Sequence, residues 1–163
     1  MKKSIVLIMH GMPPKDYPQD EKREYMRLRS KYDDTALDPA DEHSVRHHHL
    51  ESKMRKWPRN KDNDLFFVAS NDLGRDLEVA TSNPVFVGFN EFCSPSAEEA
   101  LESAALADSD EVVVVTPMLT PGGNHSEEEI PELIKQAQAN YPEKIFRYAW
   151  PFDSMSIADF LAS

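Results

Sequence analysis

Short apolar runs alternate with helix-forming segments through most of this chain, and that alternation restricts the possible folds most strongly. The first run, Ser4–Met9, is almost wholly apolar, as expected for a parallel strand covered on both faces. Further strands are predicted at Pro84–Phe89, Glu111–Met118 and Lys144–Trp150. Because strands separated by helices pair in parallel, we predict an α/β fold with a four-stranded parallel sheet flanked by helices on both faces.

The helices are marked by capping boxes and by periodic apolar residues. Ser96 with Glu99, and Ser126 with Glu129, each predict the start of a helix. A short final helix is predicted from near Asp153. Apolar residues at helical spacing predict another helix ahead of the second strand: Phe66, Ala69, Leu73, Leu77 and Ala80.

A long polar segment separates the first strand from this regular pattern. Residues 13–61 are too many for an ordinary strand-to-helix loop, so we predict a helical insertion at the carboxyl edge of the sheet. Helical patterns occur within it at Gln19–Lys31 and His43–Trp57, the latter with Leu50, Met54 and Trp57 on one face. Residues 46–61 carry a net charge of +5, although the whole chain carries −11. This segment is therefore expected to steer an anionic ligand.

Composition narrows the class of protein. With 163 residues and 40% hydrophobic content, the chain is expected to form one globular domain, residues 1–163, that includes the insertion. The acidic charge argues against nucleic-acid binding, and no apolar run is long enough to cross a membrane. The residues after Met1 show no signal-peptide pattern. A single cysteine, Cys93, favours the cytoplasm and argues against a disulfide framework or a structural zinc site.

Two histidines stand where predicted strands end. His10 follows the first strand, and His125 lies in the loop after the third. Since ligands of open α/β sheets bind at this edge, the two imidazoles predict a shared metal or acid–base site. Gly11 would permit a sharp turn and the close approach of a ligand. For His10, a hydrogen bond to a loop carbonyl is the alternative interpretation.

The loop ahead of His125 carries Gly122, Gly123 and Asn124. Backbone N–H groups at such a helix start can bind phosphate, but the Lys-Ser/Thr pair of a P-loop is missing, and a simple turn is the alternative.

Carboxylates occur near the same edge. Glu127, Glu128 and Glu129 fill the first helical turn, where they complement the helix dipole or supply proton acceptors. Dipole complementation accounts for at least Glu129. Glu91 follows the second strand, where a solvated loop charge is the alternative interpretation.

A histidine-rich run in the insertion offers a second set of metal ligands. It consists of His47, His48 and His49, with His43 nearby. Consecutive residues of a helix point about 100° apart, so only His43 and His47 are expected to share a face. A solvated, partly basic helix is the interpretation that we favour.

These motifs resemble the CbiX-type sirohydrochlorin chelatases, a group within the class II chelatases. The similarity covers residues 1–11 and about 62–163. The Gly-Gly-x-His-x-x-Glu-Glu-Ile-Pro element, residues 122–131, is quite specific in this context because it follows the third predicted strand. The resemblance implies a chelatase-like sheet, similar to half of a flavodoxin-like or Rossmann-like fold, and a homodimer in the short members.

The implied activity is a lyase-type insertion of Co²⁺ or Fe²⁺ into sirohydrochlorin, in cobalamin or siroheme synthesis. Neutral imidazoles also suit Ni²⁺, and no tightly bound cofactor is expected. The resemblance implies His10 and His125 as metal-binding and catalytic residues, with Glu91 and Glu128 as acidic residues near the site. Candidate ligand-binding residues beside them are Gly11, Gly122, Gly123 and Asn124.

Sirohydrochlorin is a polycarboxylate, so an acidic protein needs local positive charge to bind it. We hypothesise a basic lid, with Trp57 against the macrocycle, made of Arg46, Lys53, Arg55, Lys56 and Arg59. Two rival interpretations remain: a metal or tetrapyrrole binding protein without turnover, and a silent half-subunit of a chelatase.

Overall fold

The computed structural model describes residues 1–33 and 35–163 and divides the chain into two compact units. The sheet unit comprises residues 1–10, 70–90 and 95–163. The helical unit comprises residues 11–69 and 91–94, and the insertion predicted at residues 13–61 lies within it. That the whole chain forms a single domain stays a prediction.

Within the described residues, the sheet unit contains four strands, β1 Lys3–Met9, β2 Val85–Phe89, β3 Glu111–Val115 and β4 Ile145–Tyr148. All neighbouring strands pair in parallel, in the order β2–β1–β3–β4. The predicted four-stranded parallel sheet is therefore confirmed.

Two strands are shorter than predicted. β3 ends at Val115, which lies opposite Leu7 in the last pair of that ladder, and does not extend to Met118. β4 ends at Tyr148 and does not extend to Trp150. The apolar character of both segments continues past the point where backbone pairing stops, so composition alone overestimates their length.

Over the same described residues, the structure contains six α-helices: α1 Gln19–Tyr32, α2 Glu42–Arg55, α3 Leu65–Thr81, α4 Ala97–Leu106, α5 Ile130–Asn140 and α6 Ser154–Ala162. None of them is long and apolar enough to cross a bilayer. The capping box of Ser96 and Glu99 is confirmed, because each side chain bonds the other residue's backbone N–H.

The second predicted capping box is wrong. A π-helical turn, His125–Glu129, precedes α5, and Ser126 is buried inside this turn. Its hydroxyl donates to the Gly123 carbonyl oxygen at 3.1 Å instead of accepting from the helix start. Single π-turns are rare and occur often at functional sites.

Helices cover both faces of the sheet, as predicted. On one face, Val6 and Ile8 of β1 pack in a buried cluster with Leu101 of α4 and Ile130 of α5. On the other face α3 approaches β2 so closely at Gly74 that a β-carbon there would collide with the Val87 side chain. Glycine is thus required at this contact.

The periodic apolar residues of α3 do form a helix, but they do not form its buried face. Ser70 and Gly74 are buried, whereas Phe66 and Leu73 are exposed. An apolar stripe of this helix therefore remains on the surface.

The helical unit is built from α1 and α2 around an aromatic core. Leu50 and Met54 are fully buried, which confirms these two residues of the predicted apolar face, whereas Trp57 lies beyond the end of α2. Tyr25 of α1 packs edge-to-face on Phe92, with ring centroids 6.2 Å apart. Arg59 pairs with Asp64 inside this unit, and both side chains are only 2% exposed.

Candidate active site

β1 is the topological switch point of the sheet, because β2 pairs on one side of it and β3 on the other. His10 directly follows β1, and His125 opens the π-turn after β3. The structure brings the two rings together, with centroids 5.0 Å apart and planes at 89°. Such a switch point is where open α/β sheets bind ligands. The chemical role of both histidines stays a prediction.

Glu129 orients the His125 ring. Its Oε2 lies 2.5 Å from His125 Nδ1, and its Oε1 accepts from Asn124 Nδ2 at 2.6 Å. An ionised carboxylate can only accept, so the shared proton belongs to Nδ1 and Nε2 carries the lone pair of the ring. This arrangement suits a metal ligand, because carboxylate partners fix the tautomer of ligating histidines.

Carboxylates of the π-turn accept hydrogen bonds from the glycine loop that precedes it. Glu127 Oε1 accepts from the Gly122 N–H at 3.0 Å, and Gly122 has a left-handed φ of +104°. The Gly122 N–H is thus already bonded to a carboxylate, and a ligand-binding role for Gly122, Gly123 and Asn124 stays a prediction. The left-handed φ of Gly122 agrees with the alternative interpretation of a turn.

Tyr148, the last residue of β4, fastens the π-turn to the sheet. Its hydroxyl donates to the Ser126 carbonyl oxygen at 3.1 Å, and its ring stacks on Trp150. Burial raises the pKa of Tyr148 to about 12, so the hydroxyl keeps its proton at neutral pH. Tyr148 was not predicted from the sequence, because it bonds a backbone carbonyl oxygen, and every residue carries one.

Sequence reasoning also gave Glu129 only a dipole role and preferred Glu128. Glu128 is exposed, whereas Glu129 bonds the His125 ring. The spacing of four residues between His125 and Glu129 was the available signal, since such pairs meet on a helical turn. A catalytic role for Glu128 stays a prediction.

Gly11 and Glu91 belong to the helical unit. Gly11 has a φ of +98°, and a β-carbon there would collide with the Glu91 carbonyl oxygen, so the predicted sharp turn is confirmed. The Glu91 carboxylate pairs with Arg29 of α1. It is therefore held in an ion pair and is not a solvated loop charge, while its proposed acidic role stays a prediction.

Most members of the hypothesised basic lid pair with acids of the same unit, and the lid itself stays a prediction. Arg59 is buried against Asp64, and the Trp57 indole N–H donates to Asp16 at 3.0 Å. Three further bases form ion pairs: Arg46 with Glu24 at 2.7 Å, Lys53 with Glu21 at 2.7 Å, and Arg55 with Glu51 at 3.0 Å. Of the five bases, Lys56 is exposed.

Together, the fold and the paired imidazoles define a class: an open parallel α/β protein with a candidate metal or acid–base centre at its switch point. The sequence model of the CbiX family matches residues 67–161. This match spans more than half of the chain, and the chain belongs to the CbiX family.

Individual relatives match over different lengths. A sirohydrochlorin cobaltochelatase of Methanopyrus kandleri is 37% identical over 57 residues, which are 35% of this chain and 39% of that protein. The sirohydrochlorin chelatase SirB from Bacillus subtilis subspecies spizizenii, solved in complex with cobalt, is 16% identical, with a TM-score of 0.46. That alignment covers 93% of this chain and 44% of the SirB chain.

A CbiX protein from Marinobacter aquaeolei, described as a putative cobalamin biosynthesis protein, is 15% identical with a TM-score of 0.49. It aligns over 98% of this chain and 94% of its own. The matched regions thus span well under two thirds of the cobaltochelatase and of SirB, but nearly all of the Marinobacter protein.

Proposed function

We propose that this chain is a chelatase that inserts a divalent metal, Co²⁺ or Fe²⁺, into sirohydrochlorin for cobalamin or siroheme synthesis. The observation that carries the proposal is the His10–His125 pair, with ring centroids 5.0 Å apart at the carboxyl edge of the sheet. Membership of the CbiX family supports the reaction class. In this proposal the metal is a substrate and is released inside the macrocycle.

His125 is suited to hold the incoming metal. Glu129 takes the Nδ1 proton into a hydrogen bond, so the Nε2 lone pair is the donor of this ring. Imidazole nitrogen suits Co²⁺, Fe²⁺ and Ni²⁺ alike. The arrangement therefore supports divalent metal delivery without selecting one ion.

His10 is suited to the proton transfers of the reaction. Metal insertion displaces the pyrrole N–H protons, and the exposed His10 imidazole offers a ring nitrogen that can take up a proton. Glu91 and Glu128 enter the proposal as further proton acceptors only through the resemblance to the family. In the helical unit Arg29 holds the Glu91 carboxylate in an ion pair.

We include a homodimer and a cytoplasmic location in the proposal. Met155, Phe160 and Leu161 of α6 are 67–71% exposed, and they offer an apolar surface to a second copy. The single cysteine fits a reducing compartment. Sedimentation of the purified protein tests the dimer, and Phe160→Ser should shift it toward the monomer.

The test of the activity is a visible absorbance time course with sirohydrochlorin, run anaerobically with Co²⁺, Fe²⁺ and Ni²⁺ in separate cuvettes. We expect insertion faster than the protein-free reaction, and a loss of at least about 100-fold in His10→Ala or His125→Ala. His43→Ala is the matched control, because it removes an exposed histidine of α2.

The other outcomes separate the rival interpretations. Unaccelerated insertion together with a spectral shift on tetrapyrrole binding would favour a carrier. Activity only after addition of a second chelatase chain would favour a silent half-subunit. Full activity in both histidine variants would overturn the assignment of the site.

A further inference from the structure

A second histidine cluster lies in the helical unit, around His47 of α2. His47 is 0% exposed, and neither ring nitrogen has a hydrogen-bond partner among the described residues. Its ring is stacked on Tyr25, with centroids 5.2 Å apart and planes at 9°. Buried polar groups in native proteins are almost always bonded, so this histidine needs an explanation.

Two further ligands flank His47 on the same helix. Potential ligand atoms of His47, His48 and Glu51 all lie within 4.8 Å of one another. Glu51 is four residues after His47 and three after His48, which are the spacings that place side chains side by side on a helix. His48 Nε2 is likewise buried without a partner among the described residues.

Neighbouring groups orient this set. Arg55 Nε donates to Glu51 Oε1 at 3.0 Å, while the other carboxylate oxygen, Oε2, lies 4.0 Å from His48 Nδ1. On the far side of the cluster, Asp33 Oδ1 lies 3.7 Å from His47 Nε2, and Arg29 binds the second oxygen of Asp33. The positive charges of Arg55 and Arg29 are thus each balanced by a carboxylate, so neither arginine alone would repel a bound cation.

We propose that His47, His48 and Glu51 bind a divalent first-row transition-metal ion at a site separate from the His10–His125 pair. Two imidazoles and one carboxylate form a ligand set that suits Zn²⁺, Co²⁺, Ni²⁺ and Fe²⁺. Ligand distances of about 2.0–2.2 Å to such an ion require the three side chains to move closer together than the observed spacing of up to 4.8 Å. Asp33 and Arg55 act as positioning residues for the ring and the carboxylate.

The correct partners of His47 were not predicted from the sequence. Helical spacing pointed to His43, which is exposed, whereas His47 is buried. The adjacent His48 was set aside because consecutive residues diverge on a helix, yet ligand atoms of both rings and of Glu51 lie within 4.8 Å of one another.

The test uses metal alone, without tetrapyrrole, in the full chain carrying His10→Ala and His125→Ala. This background removes the first histidine pair, so failure of the chelatase proposal does not affect the result. We expect one equivalent of Co²⁺ by visible absorption titration, with Zn²⁺ competing for the same site. Adding His48→Ala should weaken Co²⁺ binding by at least about 10-fold, whereas His49→Ala, at an exposed neighbouring position, should not.

Because His47 is buried, its replacement could unfold the helical unit, so Glu51→Gln is the second variant. It keeps the side-chain shape and removes the charged ligand. Zn²⁺ should raise the melting temperature of the background protein, and Glu51→Gln should abolish that rise while circular dichroism stays unchanged. Absence of Co²⁺ binding in the background protein, or equal affinity in His48→Ala and His49→Ala, would overturn the proposal.

Discussion

The two units of this protein gather their histidines in different ways. In the sheet unit, parallel strand pairing brings His10 and His125 together from distant parts of the sequence, and His10 remains exposed. In the helical unit, a single helix carries His47 and His48 side by side, and His47 is fully buried. An exposed pair at a sheet edge can meet a large ligand, whereas a buried cluster can admit only an ion.

The units also differ in what stabilises them. The sheet unit buries β-branched strands against α4 and α5, so apolar area supplies most of its stability. The helical unit depends more on charge, through the buried pair of Arg59 and Asp64 and a set of ion pairs between α1 and α2. Charge substitutions should therefore destabilise the helical unit more than the sheet unit.

The largest expected effect comes from Arg59→Met. This change leaves Asp64 buried without its cation and removes donors to the Met12 and Met54 carbonyl oxygens, so we expect a loss of about 3–5 kcal/mol in unfolding free energy. The control is Arg75→Met, because Arg75 pairs with Asp72 on the surface of α3 and should cost under about 1 kcal/mol.

Cys93 gives this prediction a local readout. The thiol is fully buried in the helical unit, and burial raises its pKa, so a thiol reagent should modify it slowly in the parent protein. Arg59→Met should accelerate the modification. Equal unfolding free energies and equal Cys93 rates in Arg59→Met and Arg75→Met would contradict the proposed contrast between the two units.

The next effect is on the sheet-unit site. Glu129→Gln removes the charged partner of His125, and we expect metal affinity or insertion rate to fall about 10- to 100-fold. Glu128→Gln is the paired variant at an exposed neighbour, and it tests the acidic role that the resemblance implies. If metal affinity or insertion rate fell more in Glu128→Gln than in Glu129→Gln, the proposed role of Glu129 in orienting His125 would be wrong.

Tyr148→Phe tests how the sheet unit holds its site. It removes one hydrogen bond to the Ser126 carbonyl oxygen, and we expect a loss of about 0.5–1.5 kcal/mol in unfolding free energy. Because the pKa of Tyr148 is raised to about 12, its hydroxyl stays protonated in the folded protein at ordinary assay pH. The difference in unfolding free energy between Tyr148→Phe and the parent should therefore be constant between about pH 6 and 9. A difference that varies within this range would point to another titrating group.

The smallest effect is expected for Lys53→Met, which breaks the partly exposed pair with Glu21 and should cost under about 1 kcal/mol. The hydrogen bond from Lys53 lowers the pKa of Glu21 in the folded state, so the stabilisation exists above the unfolded pKa. It is lost as pH falls through the folded pKa. Denaturation at neutral and at acidic pH should therefore show a difference that disappears in acid.

The sequence predicted the sheet better than the insertion, for a physical reason. Apolar strands such as β1 can be buried only in the centre of a sheet, so pattern determines their environment. The sequence of α2 does not show whether its basic side chains are solvated or paired with acids. The acids that pair with Arg46 and Lys53 lie on α1, distant in sequence.

The candidate site shows the same limit. The two histidines were predicted because strand ends share one edge of a sheet, whereas the π-turn was not, since Ser126 and Glu129 match a capping box equally well. Which hydrogen bond Ser126 makes depends on its burial, and burial depends on the packing around the turn.

The central position of β1 bears on how the chain is synthesised. β1 is made before its partners β2 and β3, which follow only after α1, α2 and α3 have been translated. Until then an apolar, β-branched segment has no native neighbour in the nascent chain, which slows folding and invites aggregation. We therefore expect production of the protein to depend on translation speed and chaperones more than its final stability would suggest.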